Sequence, residues 1–212
     1  MADKKHIAML KKGVKAWNEW RDKNADIIPD LSEANLIEKN LNGANLSKVN
    51  LTGADMIGVK LKEANLSGAN LSGADLNIAN LMWANLVQAQ FIQCNLMGAQ
   101  LTQADLSGAD LRAANLRGTN LMGATLNQTD FGSTDLIGAN LSGSQAAFAN
   151  FDGANLTGAC LEDWEFNSET RLEEAICDYF YLREKQQERC PSIGIFSMGE
   201  FSKLLHGETT ET

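Results

Sequence analysis

Residues 64–76 read Ala64-Asn65-Leu66-Ser67-Gly68-Ala69-Asn70-Leu71-Ser72-Gly73-Ala74-Asp75-Leu76. Leu recurs every fifth residue, Ala stands two places before it, Asn or Asp lies between them, and Gly closes the unit. The period holds without a slip from Leu31 to Phe166. Of the 28 central positions in that span, 22 are Leu, and the others are Met56, Phe91, Phe131, Ala146, Phe151 and Phe166. Two residues earlier, 18 of the 28 positions are Ala. Most of the remainder are also small, among them Val49, Val59, Cys94, Thr119, Thr129, Thr134 and Ser144.

A period of five matches neither the 3.6 of a helix nor the 2.0 of a strand. An α-helix would spread these leucines over every face, and each Gly inside it would cost about 1 kcal/mol. The pattern closes if each pentad is one side of a square. A short extended piece then turns the small residue and Leu inward, and a turn at the Gly end carries the chain to the next side. Asn, Asp and Gly suit such corners, because they tolerate positive φ and bond locally to backbone. Four pentads make a coil of twenty residues, so the span predicts an all-β solenoid of about seven coils. At the usual spacing of hydrogen-bonded strands the column is roughly 30 Å tall.

Composition agrees. Hydrophobic residues make up 44% of the 212-residue chain, but aromatics only 7%, and Pro occurs twice. A conventional core mixes side chains of many sizes to fill irregular space. A core of Leu and Ala needs a geometry in which the same two slots recur. No apolar run reaches the length of a membrane span, and the basic start, Met1 to Ile7, lacks the apolar region of a secretory signal. Cys94, Cys160, Cys177 and Cys190 show no CxxC spacing, which argues against a zinc site or a disulfide framework. These features predict a reduced, cytoplasmic protein. The net charge of −9 disfavours non-specific nucleic-acid binding.

The uninterrupted A(N/D)LxG motif, as at Ala44-Asn45-Leu46 and Ala74-Asp75-Leu76, resembles the pentapeptide-repeat family. The resemblance covers about residues 31–166 and implies a right-handed quadrilateral β-helix. It implies little about activity, since function must be argued from a site and not from the fold. The segment beyond the repeats resembles one found after the repeats in cyanobacterial members. It is carried by Trp164, Phe166-Asn167, Thr170, Cys177-Asp178-Tyr179-Phe180-Tyr181-Leu182-Arg183, Glu188-Arg189, Pro191 and Gly199-Glu200-Phe201.

The chain divides into an N-terminal amphipathic helix and linker (1–28), the repeat column (29–166) and a C-terminal segment (167–212). A solenoid's end coils offer unpaired edges unless covered. Over residues 4–22, Ile7, Leu10, Val14, Trp17 and Trp20 recur at helical spacing, with Lys4, Lys5, Lys11, Lys12 and Lys15 opposite. A basic amphipathic helix can lie on a membrane, but packing of its tryptophans over the first coil is the preferred reading. Lys39 occupies an inward slot, tolerable where the terminal coil is partly open. At the other end the bulk of Trp164 in a small slot marks where regular stacking stops. The C-terminal aromatics then cover the last coil, and residues 207–212 fray. Where Ala146 replaces Leu, Phe148 is expected to fold inward, because a Leu-to-Ala void costs about 3 kcal/mol.

The residues offer no catalytic constellation. His6 and His206 stand at opposite ends, and no metal cluster, Cys/His pair, phosphate-binding loop or GxSxG elbow is present. Asp55, Asp75, Asp105, Asp110, Asp130 and Asp135 all hold the repeat's Asn/Asp position, where a side-chain acceptor serves the turn. A Leu-filled interior leaves no pocket for a small substrate. The chain therefore reads as a non-enzymatic scaffold or regulator, with no cofactor and no metal, acting through its outer walls on a protein partner or on a second copy. The candidate surface is an apolar band of Ile78, Met82, Trp83, Val87, Ile92 and Met97, interleaved with Asn77, Gln88 and Gln93. Ile37, Ile57, Met97 and Ile137 also line up along one side. The competing possibility is that a terminal segment folds back over the band. A second function class comes from the resemblance, since some members mimic B-DNA and inhibit or protect DNA gyrase. That needs long acidic ladders, which Lys60, Lys62, Arg112 and Arg117 dilute.

Overall fold

The computed structural model describes residues 1–197, 199–205 and 207. His206 and residues 208–212 of the end expected to fray lie outside the described residues. Two helices come first, α1 (Lys4–Leu10) and α2 (Val14–Lys23). The repeat column follows, then an antiparallel hairpin of β1 (Phe180–Arg183) and β2 (Gln187–Cys190), and a short α3 (Glu200–Leu205).

The column contains no strand longer than a single paired residue. Each pentad contributes one rung, the Asn/Asp position, which bridges in parallel to the rung twenty residues on, from Asp30↔Asn50 through Gln145↔Glu165. That spacing fixes four walls. Their first rungs are Asp30 (wall 1), Asn35 (wall 2), Asn40 (wall 3) and Asn45 (wall 4). The hydrogen bonds repeat with the sequence: Leu66 N–H donates to the Asn85 carbonyl at 2.7 Å, and Asn85 N–H donates to the Ala64 carbonyl at 3.0 Å. Between walls the chain makes a four-residue turn. Ala69 N–H donates to the Leu66 carbonyl at 2.9 Å, and Gly68 holds φ +64°, as the third residue of a type II turn requires. The rung's side chain secures the same turn, since Asn65 Oδ1 accepts from Ser67 N–H at 3.0 Å.

Inside, both slots are sealed: Leu66, Leu86, Leu106 and Leu126, like Ala69 and Ala89, have no exposed surface. Thr stands in the small slot without an orphaned hydroxyl. Thr119, Thr129 and Thr134 donate to the carbonyls of Leu96, Leu106 and Leu111 at 2.8–2.9 Å. The rung aspartates mostly serve turns. Asp75, Asp105, Asp110, Asp130 and Asp135 each accept the N–H two residues on, whereas a buried oxygen of Asp55 has no partner.

Three expectations need correction. The single helix over residues 4–22 is two helices, because Gly13 turns the chain at φ +99°. Pairing does not stop at Phe166. Wall 4 ends at Glu165, where the Trp164 ring meets Phe151 edge-on at 5.3 Å, but the other walls gain one more rung each, Arg171, Ile176 and Tyr181, at an offset of twenty-one. One residue inserted at the preceding corner sets that offset, and the Asn167 side chain accepts the Phe148 N–H in place of a backbone carbonyl. Phe148 does not fold inward. Its φ of +61° holds it at a corner with 55% of its surface exposed. Bulk near Ala146 comes from the coil above, where Trp164 and Phe166 lie 5.0 Å apart.

α2 lies against the first coil. Trp17 is fully buried and donates to the Asn45 carbonyl at 2.8 Å, and buried Arg21 donates to the carbonyls of Ile27 and Ser47. At the far end Phe201 is buried against Phe180, with ring centroids 5.7 Å apart.

Because each inward side chain touches mainly its own and adjacent coils, core damage is local but costly. Leu116→Ala should lower stability by about 3 kcal/mol, and Thr129→Val, which removes one buried donor, by about 1 kcal/mol. Urea denaturation followed by circular dichroism measures both.

Candidate interaction surface

The six candidate residues do not form one patch. Residues 78–97 span one full coil of twenty, so they visit all four corners. Ile92 lies at the corner after wall 1, Ile78 and Met97 after wall 2, Met82 and Trp83 after wall 3, and Val87 after wall 4. Ile78 (62%), Trp83 (47%) and Met97 (42%) are well exposed, whereas Met82, Val87 and Ile92 are half-buried.

What the fold does bring together runs along the column. Ile78 N–H donates to the Met97 carbonyl at 2.9 Å, stacking the two on the corner that also carries Ile37, Ile57 and Ile137. Wall 3 separates this corner from the next, and Ile78 and Trp83 flank its rung Asn80. Over its first six rungs, Asn40, Lys60, Asn80, Gln100, Asn120 and Asn140, the wall is a face of amides and one lysine with an apolar corner on each side. On the Trp83 corner, the Lys62 ammonium sits 4.5 Å from the indole centroid, and Met122 is exposed two coils further on. The sequence reading missed Met122 and the exposure of Phe148. Sorting turn positions by residue number modulo twenty would have grouped Met122 with Met82, on the corner that also carries Trp83.

The backbone marks the same residues, and Phe148 with them. Ile78 (φ +53°) and Trp83 (φ +57°) occupy the left-handed turn position that Gly68 and Gly98 fill elsewhere. A β-branched or bulky side chain there is a genuine outlier, and left-handed backbone costs about 1–2 kcal/mol for a residue with a Cβ. Both residues thus accept strain and at the same time expose apolar surface. Outliers of this kind collect at functional sites.

Cavities lie outside the packed interior, and two of them flank the last and the first coil. One of about 490 Å³ is bounded by Glu173, Glu174, Ile176, Cys177 and Asp178 of the last coil and by Phe196 and Phe201. The other, of about 220 Å³, lies between the N-terminal helices and the first coil. The expectation of a filled interior concerned the column alone, and these cavities lie at its ends. Burial pushes the Cys177 thiol up to about 12, and Cys94, buried in a small slot, is raised as well. Among the described residues, no group of His, Cys, Asp and Glu is arranged to hold a metal.

Ile78→Gly should raise stability by about 1 kcal/mol, since glycine adopts this φ without strain. Matched urea melts of the variant and the parent read the difference.

A family model for pentapeptide repeats matches residues 30–62, 64–103, 94–132 and 126–163, in 8 copies. No curated protein matches. Among solved structures, a pentapeptide repeat protein from the Arabidopsis thaliana thylakoid lumen is 32% identical over 50% of this chain and 70% of its own, with a TM-score of 0.39. HetL, a pentapeptide repeat protein involved in heterocyst differentiation regulation in the cyanobacterium Nostoc, is 28% identical over 74% and 84%, with a TM-score of 0.33. QnrB1, a plasmid-mediated fluoroquinolone resistance protein, is 19% identical over 79% and 81%, with a TM-score of 0.52, which speaks to fold alone. The family model and the shared fold of QnrB1 imply the right-handed hand of the β-helix whose twenty-residue ladder is described above. On the repeat that covers most of its length, this chain belongs to the pentapeptide-repeat family.

Proposed function

We propose that this protein is a non-enzymatic interaction module that holds a protein partner, or a second copy of itself, on the outer face formed by wall 3 and its two apolar corners. The observation that carries this reading is the pair Ile78 and Trp83. Each has the turn conformation in which glycine is free of strain, and each exposes a large apolar side chain there. Trp at the centre of a surface is a common anchor of protein interfaces. The wall between them is mostly neutral amides, which supply hydrogen-bonding groups, with Lys60 and Lys62 as its charges. The helices α1 and α2 and the C-terminal segment act, in this reading, as caps on a column of about seven coils.

The DNA-mimic reading has less support. Arg112 pairs with Asp110 at 2.6 Å and reaches Asp130 at 3.7 Å, Arg117 pairs with Asp135 at 3.1 Å, and Arg171 pairs with Asp152. The Arg112 guanidinium holds the Asp110 carboxyl below its ordinary range. Carboxylates neutralised this way give a weaker acidic field than an unbroken ladder would. The Cys94 thiol fills a small slot as a free S–H, donating to the Ala74 carbonyl at 3.1 Å. Among the described residues no helix is long and apolar enough to cross a membrane.

Trp83→Asp tests the first reading. It should weaken binding about thirtyfold, the loss of roughly 2 kcal/mol typical of an anchor. The readouts are sedimentation equilibrium for self-association and affinity capture for a partner. Unchanged oligomeric state together with unchanged captured proteins would sink the assignment. A gyrase supercoiling assay is expected to show no inhibition, and inhibition at low micromolar protein would favour the DNA-mimic reading.

A further inference from the structure

The first coil is covered on two walls and open on two. In every coil the rung's N–H and carbonyl face the preceding coil, as Asn50 N–H donating to Pro29 and its carbonyl accepting from Leu31 illustrate. On the first coil those groups need other partners. For wall 1 the N-terminal segment supplies them: Asp30 N–H donates to His6 Nδ1 at 3.1 Å, and its carbonyl accepts from Asp3 N–H at 3.0 Å. For wall 4, Asn45 N–H donates to Asn18 Oδ1 and its carbonyl accepts from Trp17 Nε1, both at 2.8 Å. For walls 2 and 3, the N–H and carbonyl groups of Asn35 and Asn40 have no partner among the described residues, and both residues are exposed.

Beside that open edge lies the 220 Å³ groove. Ile7, Leu10 and Val14 of the helices face Leu36 and Leu41 of the coil across it, and Lys11 and Lys39 line it with no carboxylate among its lining residues. The nearby Glu38 leans toward the second coil, with its Cγ 3.5 Å from where a Cβ on Gly58 would stand. Lys39 is the sole lysine in an inward slot, and it is exposed in the structure.

We propose that this edge is a β-augmentation site for an extended acidic peptide segment of a partner protein. Its backbone would pair with Asn35 and Asn40 as a preceding coil would, an apolar side chain would enter the groove, and a carboxylate would meet Lys11 or Lys39. Strand addition to a free edge takes affinity from main-chain hydrogen bonds and selectivity from side-chain pockets. The groove's volume accommodates one or two side chains, not the end of another column. Lysine on an edge also deters stacking of like-charged copies, so the same charge that resists a second copy of this chain favours an acidic segment.

The probe is a fluorescein-labelled peptide ADLSGADL, the sequence of residues 104–111, which carries two carboxylates and two leucines at pentad spacing. Fluorescence anisotropy should show saturable binding to the full chain, and amide exchange should show new protection at Asn35 and Asn40. Lys39→Glu combined with Lys11→Glu, both exposed and so expected to fold, should weaken it about tenfold, as two rim charge pairs allow. The peptide AKLSGAKL should bind correspondingly less. Trp83→Asp should leave peptide binding unchanged, which separates this site from the proposed corner surface. No anisotropy change up to about 1 mM peptide, equal binding of the two peptides, or protection elsewhere would overturn the proposal. So would concentration-dependent dimerisation abolished by Lys39→Glu without peptide binding, which would assign the edge to a second copy.

Discussion

Everything in this molecule depends on the parallel rung, the single residue per wall whose N–H and carbonyl bond to the preceding coil while its two neighbours in the chain bond to the following one. Because the rung is one residue long, it supplies no strand in the ordinary sense. Stability comes from repetition, with each coil's backbone satisfied by its neighbours and each inward pair of slots closed by the pair above. The twenty-residue offset is the consequence, and it governs which side chains become neighbours. It also explains why Thr can replace Ala inside: a hydroxyl in the small slot finds the Leu carbonyl of the coil below.

The rung creates the surface as well. Each wall must be followed by a turn whose third residue has positive φ, and glycine is the unstrained occupant. Where Ile78 and Trp83 stand instead, the column accepts strain and exposes apolar area on two successive corners of one wall. Most other non-Gly residues at this position, such as Gln88, Gln93 and Gln103, are polar and need no further explanation. The contrast between these sets, identical in backbone role and opposite in chemistry, is what distinguishes a candidate contact surface from ordinary corner decoration.

The ends follow the same logic. A column built from rungs must leave unsatisfied rungs at its termini, and at its start this chain answers with side chains rather than with another coil. Trp17, Asn18, Arg21 and His6 take the place of the missing hydrogen-bonding partners. They serve walls 1 and 4 and leave walls 2 and 3 bare, so the helical pair shields half of the edge and borders the other half. At the far end an inserted residue shifts the last three rungs, and the paired hairpin with α3 supplies the aromatic cover.

The sequence by itself determined the period, the inward slots and the turn position, because a five-residue repeat of Leu, small residue, Asn and Gly admits one way of closing. It also determined that Asp at the rung mostly serves the turn, since the same position holds Asn in half of the pentads. Tertiary structure decided what depends on a break in the repeat. Gly13 split the helix, the extra residue before Thr170 moved the offset to twenty-one, and the corner backbone turned Phe148 outward. The candidate surface was legible residue by residue but not as a shape. Ile78 through Met97 read as one band in the chain, and twenty residues of winding distributed them over four corners, leaving the true neighbours one coil apart.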